Sequence, residues 1–252
     1  MCGDSEEEFD LAIKNVQLEI QSGEKVAICG RTGSGKSSLI ALLLKLLDPI
    51  PKTRANITID DQDLQYVDRT TLRQRIIALP QEPVFLPDGT TFHSNIDPFQ
   101  VSTPDECQSI LRAVNLWHFV EERGGLEACM NASTLSAGQR QLLSLSRALL
   151  RRRVLARSCS GNFPSSESGI LLLDEVSSSV DRETERLMQD VISSDFKNYT
   201  VVAVSHRLDM VMDFDRVVVM DKGEIVEVGK PRVLAEENGS RFQILVKAAA
   251  GQ

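Results

Sequence analysis

The octapeptide Gly30-Arg31-Thr32-Gly33-Ser34-Gly35-Lys36-Ser37 constrains this chain more than any other stretch. It satisfies the pattern GxxxxGK[ST] and lies between a short apolar run, Lys25 to Cys29, and leucines at helical spacing, Leu39, Leu42, Leu43 and Leu46, that stop at Asp48-Pro49. Strand, glycine-rich loop and helix is the order this pattern needs. The glycines let backbone N–H groups converge on phosphate oxygens, and a helix starting near Lys36 offers the positive end of its dipole. Lys36 then reaches the β- and γ-phosphates of a nucleotide, and the Ser37 hydroxyl is a ligand for Mg²⁺. Gly30 through Ser38 is thus the candidate ATP site. A glycine-rich turn capping a core helix is the plain alternative, and the flanking elements count against it.

Apolar periodicity organises the remaining chain. Glu6, Glu7 and Glu8 form a solvated run, after which Leu11, Ile13, Val16, Leu18 and Ile20 mostly alternate and predict half-buried strands of a leading sheet. Ile57–Ile59 and Ile76–Leu79 predict further strands, and the proline-rich stretch from Pro83 to Pro104 marks a change of architecture. Helical spacing prevails from Asp105 to Arg152, with Leu142, Leu143, Leu145, Ser146 and Leu149 on one side and the small Ala148 permitting close approach. Ile170–Leu173 and Val201–Val204 are continuous apolar runs suited to central parallel strands covered on both faces. Val217–Met220 and Ile225–Val228, joined through Lys222-Gly223, predict a closing hairpin. Ser158–Gly169 is rich in Ser, Gly, Asn and Pro and reads as an exposed loop.

The run Ile170-Leu171-Leu172-Leu173-Asp174-Glu175 ends in two adjacent carboxylates. A buried strand entering an acidic loop is ordinary by itself. Beside a phosphate loop, Asp174 can hold Mg²⁺ through its water shell while Glu175 orients or deprotonates an attacking water. Leu135-Ser136-Ala137-Gly138-Gln139-Arg140-Gln141 opens the long helical run, with Ser136 placed as its N-cap.

That heptapeptide resembles the LSGGQ signature, and the order of phosphate loop, signature and acidic strand end is that of the ATP-binding cassette ATPases, over nearly the whole chain. The resemblance implies an α/β fold: a P-loop NTPase core with a mainly parallel sheet, a flanking antiparallel β-subdomain and an α-helical signature subdomain. On that reading residues 9–82 and 165–230 form the core with its β-subdomain, 83–155 the helical lobe, 156–169 an exposed loop and 231–252 a helical tail. It also implies that Ser136, Ala137, Gly138 and Gln139 touch the ATP of a second cassette, so that hydrolysis needs a homo- or heterodimer. Gln81 in LPQEPV resembles the Q-loop glutamine, a contact of Mg²⁺ and the attacking water, in a segment that faces transmembrane coupling helices. Alone it reads as an exposed loop residue. Asp181 in Ser179-Val180-Asp181 resembles the D-loop residue at the dimer interface, and it also suits an N-cap. His206 in VSHRL resembles the switch histidine that bonds the γ-phosphate, although a histidine at a strand end is ordinarily structural. Catalytic candidates are therefore Glu175, His206, Lys36 and Gln81, and Mg²⁺ ligands are Ser37, Gln81 and Asp174.

The segments GRTGSGKSSL, LPQEPVFLPDGTTFHSNIDPF, LRAVNLW and LLLDEVSSSVD resemble the C subfamily, the multidrug-resistance-associated type. Its second cassette keeps the catalytic glutamate, present here as Glu175. Three departures stand out. Ala137 replaces the middle glycine of the signature, Ser5 stands near where an adenine-stacking aromatic is expected with Phe9 several residues late, and Val154–Gly169 exceeds the usual link. The resemblance favours the motor of an exporter over a regulatory cassette of a channel or receptor, and over a soluble cassette protein, which carries two cassettes or a coiled-coil insertion.

Charge and cysteine usage narrow the partners. The formal net charge is −8, and Arg151, Arg152 and Arg153 are the tightest basic cluster, so nucleic acid is not an expected partner. The five cysteines, Cys2, Cys29, Cys107, Cys129 and Cys159, show no CxxC spacing and suit a reducing setting. Met1–Asp10 lacks the layout of a secretory signal, and apolar runs such as Leu39–Leu44 fall short of the roughly 20 residues of a membrane span. The expected location is the cytoplasmic face of a membrane, with the transmembrane domains of an ABC transporter as partners and the span supplied by them.

Overall fold

Apolar strands without alternation require cover on both faces, and the sheet of this chain receives it. A computed structural model describes residues 11–50, 56–158, 168–176, 180–208 and 210–250. In chain order its elements are β1 (Lys25–Gly30), α1 (Lys36–Leu43), β2 (Thr58–Ile59), β3 (Gln62–Asp63), α2 (Arg69–Arg75), β4 (Ile76–Leu79), α3 (Phe92–Ile96), α4 (Pro104–Ala113), α5 (Trp117–Glu121), a 3₁₀ turn (Ala132–Thr134), α6 (Ala137–Ser158), β5 (Ile170–Asp174), α7 (Arg182–Asp195), β6 (Thr200–Val204), β7 (Arg216–Asp221), β8 (Glu224–Gly229), α8 (Pro231–Glu236) and α9 (Arg241–Ala250). The large sheet runs β4-β5-β6-β1-β7-β8, parallel throughout except for the antiparallel β7–β8 hairpin.

The two faces of each central strand feed different cores. Val26, Ile28, Leu172, Val202, Val204, Val218 and Met220 pack under Ile40 of α1 and Leu72 of α2. On the opposite face, Leu171, Leu173, Val201 and Ala203 meet α6 and α7 through Leu145, Leu149, Met188 and Val191. Ala27, Cys29, Val217 and Val219 meet Leu234 of α8 and Phe242 of α9. Successive side chains of a strand point to opposite faces, so a run buried on both sides carries no polar positions.

The leading sheet expected over Leu11–Ile20 does not form among the described residues. Val16, Leu18 and Ile20 do lean on the core while Gln17 and Glu19 face solvent, so the apolar alternation is real. Asn15, however, takes a φ of 48° that breaks the extended chain, and Lys14 N–H donates to Gly223 O at 2.8 Å, in the turn between β7 and β8, rather than to a neighbouring strand. The separate antiparallel sheet is the two-residue ladder of β2 and β3. α1 ends at Leu43, before the expected stop, because Lys45 turns to a φ of 51° and sends its ammonium to Val67 O at 2.7 Å. α6 carries helix through 156–158, where a loop was expected; residues 159–167 of that loop lie outside the described residues.

Candidate nucleotide site

Parallel register brings three strand ends to one edge of the sheet. Asp174 lies opposite Val204, and Val204 opposite Ile28. The segments that leave these ends carry Glu175, His206 and the Gly30 loop, and the carboxyl edge of an open α/β sheet is where ligands bind. Gly30, at φ 152°, passes so close to β7 that a Cβ would lie 2.3 Å from Met220 O. Gly33, at φ 81°, has nothing within 4 Å of where a Cβ would stand, so the mouth of the loop is open. Gly35 precedes α1 without any side-chain cap, leaving first-turn N–H groups for an anion.

Lys36 is only 4% exposed, and its Nζ donates to Gly30 O at 2.9 Å and Arg31 O at 3.0 Å, across the loop that a phosphate would enter. Burial lowers its pKa, and Glu175 foremost among the nearby charges opposes that. Ser34 Oγ is buried without a hydrogen-bond partner among the described residues. So is Asp174 Oδ1, in a carboxyl whose pKa is raised by burial and then by Glu175. Ser37 stands exposed in the first turn of α1. Orphaned carboxylate oxygen and free hydroxyl are hard donors of the kind Mg²⁺ takes, so the residues present fit that ion.

Glu175 adopts a φ of 48°, its N–H donates to Val204 O at 2.9 Å, and its Oε1 lies 2.7 Å from His206 Nε2. The carboxylate is largely buried and the imidazole half-exposed, so the pair opens to solvent on the histidine side. Cys29, directly before the loop, is inert: burial pushes its thiol up to about 12.

Gln81 is exposed just past β4, and its carbonyl accepts from Gln141 Nε2 of α6 at 2.8 Å. Ser136 and Gln139 form a reciprocal cap, Gln139 N–H to Ser136 Oγ at 3.1 Å and Ser136 N–H to Gln139 Oε1 at 2.9 Å. Ala137 is half-buried at the first position of α6, and Gly138 is buried so closely on α7 that a Cβ would lie 3.1 Å from Thr184 Oγ1. Asp181 caps α7, accepting from the N–H groups of Glu183 and Thr184, with Thr184 Oγ1 donating at 2.8 Å.

Two groups result. Residues 30–38, Asp174, Glu175 and His206 gather at the strand ends, whereas Ser136, Ala137, Gly138, Gln139 and Asp181 gather at the abutting starts of α6 and α7. Ser5, Phe9 and Ser179 lie outside the described residues. Several supports around these residues come from elsewhere in the chain. Gln141 tethers Gln81, Arg147 grips the Asn95 carbonyl and side chain beneath the following loop, and Arg207 pairs with the buried Glu185 at 2.7 Å. Their signal was weak: each is a polar residue within an apolar helix or beside a motif residue, and its partner is distant in sequence.

Comparison with known proteins agrees with this geometry. The family described as ABC transporter matches residues 13–156. An ABC-type transporter, braE of Annulohypoxylon truncatum, is 66% identical over 232 residues, covering 92% of this chain and 16% of the relative. The ABC transporter FGM5 of Gibberella zeae is 51% identical over 243 residues, 96% of this chain and 16% of its own length. The chain therefore spans about one sixth of these relatives. Among solved structures, a bacterial Atm1-family ABC exporter with ATP bound superposes with a TM-score of 0.80 at 26% identity, over 96% of this chain and 40% of that one. With a phosphate loop, an acidic strand end and a capped signature helix on one α/β scaffold, the chain belongs to the ABC transporter family.

Proposed function

We propose that this chain binds Mg-ATP and hydrolyses it as one half of a face-to-face pair of cassettes, a homo- or heterodimer. The work is done at the cytoplasmic face of a membrane and powers export through transmembrane domains; no helix among the described residues is long and apolar enough to cross a membrane. The observation that carries the reading is the Glu175–His206 contact at 2.7 Å, set beside the orphaned Asp174 oxygen and the buried Lys36 ammonium.

The roles follow from that arrangement. ATP entering the loop draws Lys36 Nζ from the Gly30 and Arg31 carbonyls onto the β- and γ-phosphates, a neutral pair of hydrogen-bond acceptors giving way to charged ones. Free N–H groups of α1 and the residues Thr32 to Ser38 line the phosphates. Ser37, Asp174 and Gln81 hold Mg²⁺, which neutralises charge on the phosphoryl oxygens when bound. Glu175 accepts the proton of the attacking water, and His206 holds that carboxylate in place and reaches the γ-phosphate. Ser136, Ala137, Gly138, Gln139 and Asp181 act on the nucleotide of the partner cassette. The retained Glu175 supports the finer reading of a second cassette of the multidrug-resistance-associated subfamily.

The test is Mg-ATPase turnover of the purified chain against protein concentration, with Glu175→Gln and His206→Ala in parallel. Specific activity rises with concentration as dimers form, and Glu175→Gln loses roughly a hundredfold in turnover, about 2.7 kcal/mol of barrier, while keeping ATP binding. Undiminished turnover in Glu175→Gln removes Glu175 as the base.

A further inference from the structure

The helical segment between β4 and β5 holds a side-chain cluster that the nucleotide site does not use. His93 of α3, Asp97 at the end of that helix and Cys107 of α4 each bring one ligating atom within 4.8 Å of the others. Asp97 and Cys107 are 1% and 0% exposed, an unusual depth for a carboxylate and a thiol facing each other. Among the described residues this is the single such grouping of histidine, cysteine and carboxylate.

His93 Nδ1 lies 3.2 Å from Glu127 Oε1, a contact that suits a proton on Nδ1 and makes Nε2 the nitrogen to offer a metal. Nε2 is buried and has no hydrogen-bond partner among the described residues. A carboxylate on one ring nitrogen, leaving the lone pair of the other to donate, is the arrangement of metal-bound histidines. Asp97 is already oriented, accepting from Ser102 N–H at 2.7 Å and Ser102 Oγ at 2.5 Å, and a carboxylate keeps further lone pairs.

We propose that His93, Asp97 and Cys107 bind a borderline divalent metal ion of the Zn²⁺ class, with water completing a tetrahedral shell and Glu127 orienting His93 from outside. One nitrogen, one oxygen and one sulfur suit Zn²⁺ and disfavour Mg²⁺ and Ca²⁺. Tetrahedral bonds of about 2.0 to 2.3 Å place ligands roughly 3.3 to 3.8 Å apart, so the side chains close by about 1 Å on binding. As the metal–sulfur bond forms, the thiol proton leaves to solvent. Without a cation the thiol stays neutral, since burial and then Asp97 push it up to about 11. The partly exposed edge of the His93 ring is the entry path. Bound metal would lock α3 to α4, and α3 carries Asn95, which receives Arg147 of α6 and the Leu86 N–H of the loop after Gln81.

The test uses the full chain with Cys2, Cys129 and Cys159 changed to serine, so that Cys107 and the buried Cys29 are its remaining thiols. Titration with Co²⁺ followed by Zn²⁺ competition should show one equivalent with thiolate-to-cobalt absorption, and Zn²⁺ should raise the melting temperature. His93→Gln and Cys107→Ser should each weaken binding at least tenfold and abolish that absorption, whereas Asp174→Asn, in the nucleotide site, should leave both intact. If Cys107→Ser fails to fold by circular dichroism, His93→Gln carries the comparison alone. Absence of thiolate–cobalt absorption, or equal Zn²⁺ affinity in His93→Gln, overturns the site and leaves the cluster as ordinary packing.

Discussion

Removing the charge of Arg207 tests how the segment after β6 holds His206 in place. Arg207 Nη1 lies 2.7 Å from Glu185 Oε2, with the carboxylate 6% exposed and the guanidinium 31% exposed. At an effective dielectric of about 20, two unit charges about 4 Å apart attract by roughly 4 kcal/mol, less what both lose in hydration. Arg207→Met keeps most of the stem and takes a cationic partner from a buried carboxylate. The cost has a ceiling, because the carboxylate can escape by taking up a proton. At pH 7 that costs about 1.36 kcal/mol for each of the roughly 2.7 units separating the pH from an unperturbed glutamate, or about 3.7 kcal/mol. At pH 5 the ceiling falls to about 1 kcal/mol. The sign follows from linkage: the variant's folded state binds the extra proton, so its stability drops as pH rises. Thermal melts followed by circular dichroism should show a loss of up to roughly 7–15 °C at pH 7 that shrinks several-fold at pH 5, with little dependence on salt. An equal loss at both pH values, or none, refutes the argument that the pair is buried and charged.

Two further perturbations separate fold from site. Gly30→Ala drives a methyl to within 2.3 Å of Met220 O and should destabilise the chain by more than about 2 kcal/mol, whereas Gly33→Ala meets open space and pays only for its φ, about 1 kcal/mol. Melting curves should rank them in that order, while titration with an ATP analogue should show Gly33→Ala losing affinity although it folds. Asp174→Asn should raise the melting temperature of the nucleotide-free chain and end hydrolysis, because burial and then Glu175 raise the carboxyl's pKa and the folded state favours its neutral form. Wild-type stability should therefore improve as pH falls through that raised pKa toward the ordinary aspartate value, and the Asn variant should lack this slope; an identical pH profile in both removes the claim that Asp174 is held under strain.

Much of this architecture was legible because burial and backbone geometry leave marks in local sequence. Leu171, Leu172 and Leu173 are apolar without alternation because two cores claim them, and the Lys222-Gly223 turn announces the β7–β8 hairpin. The loop glycines answer to sterics that any phosphate-binding turn imposes. What escaped was non-local. Residues 11–20 alternate as a strand does, yet a strand also needs a neighbour to pair with, and periodicity says nothing about neighbours. Gln141 sits within an apolar helix as an unremarkable amide until Gln81, 60 positions away, supplies its acceptor. The His93–Asp97–Cys107 cluster fails every short-spacing rule because α3 and α4 are brought together by packing.

The same non-local logic links the two halves of the nucleotide site. Residues proposed for the partner's nucleotide, around Gly138, rest on Thr184 and Asp181, at the first turn of α7. Residues proposed for this chain's own nucleotide include His206, whose neighbour Arg207 is held by Glu185 in that same turn. Four consecutive peptide units therefore carry both contacts, and a buried carboxylate at one end admits little give, since a displacement that separates it from Arg207 exposes the full cost worked out above. A shift of the signature helix toward a partner has to carry α7 with it or slide Gly138 across Thr184, against which it packs so closely that an added methyl would lie 3.1 Å from Thr184 Oγ1. Rigid connection through α7 follows from packing at that turn, and it is why a side chain that touches no nucleotide, Arg207, is the sharper probe of how the site is held.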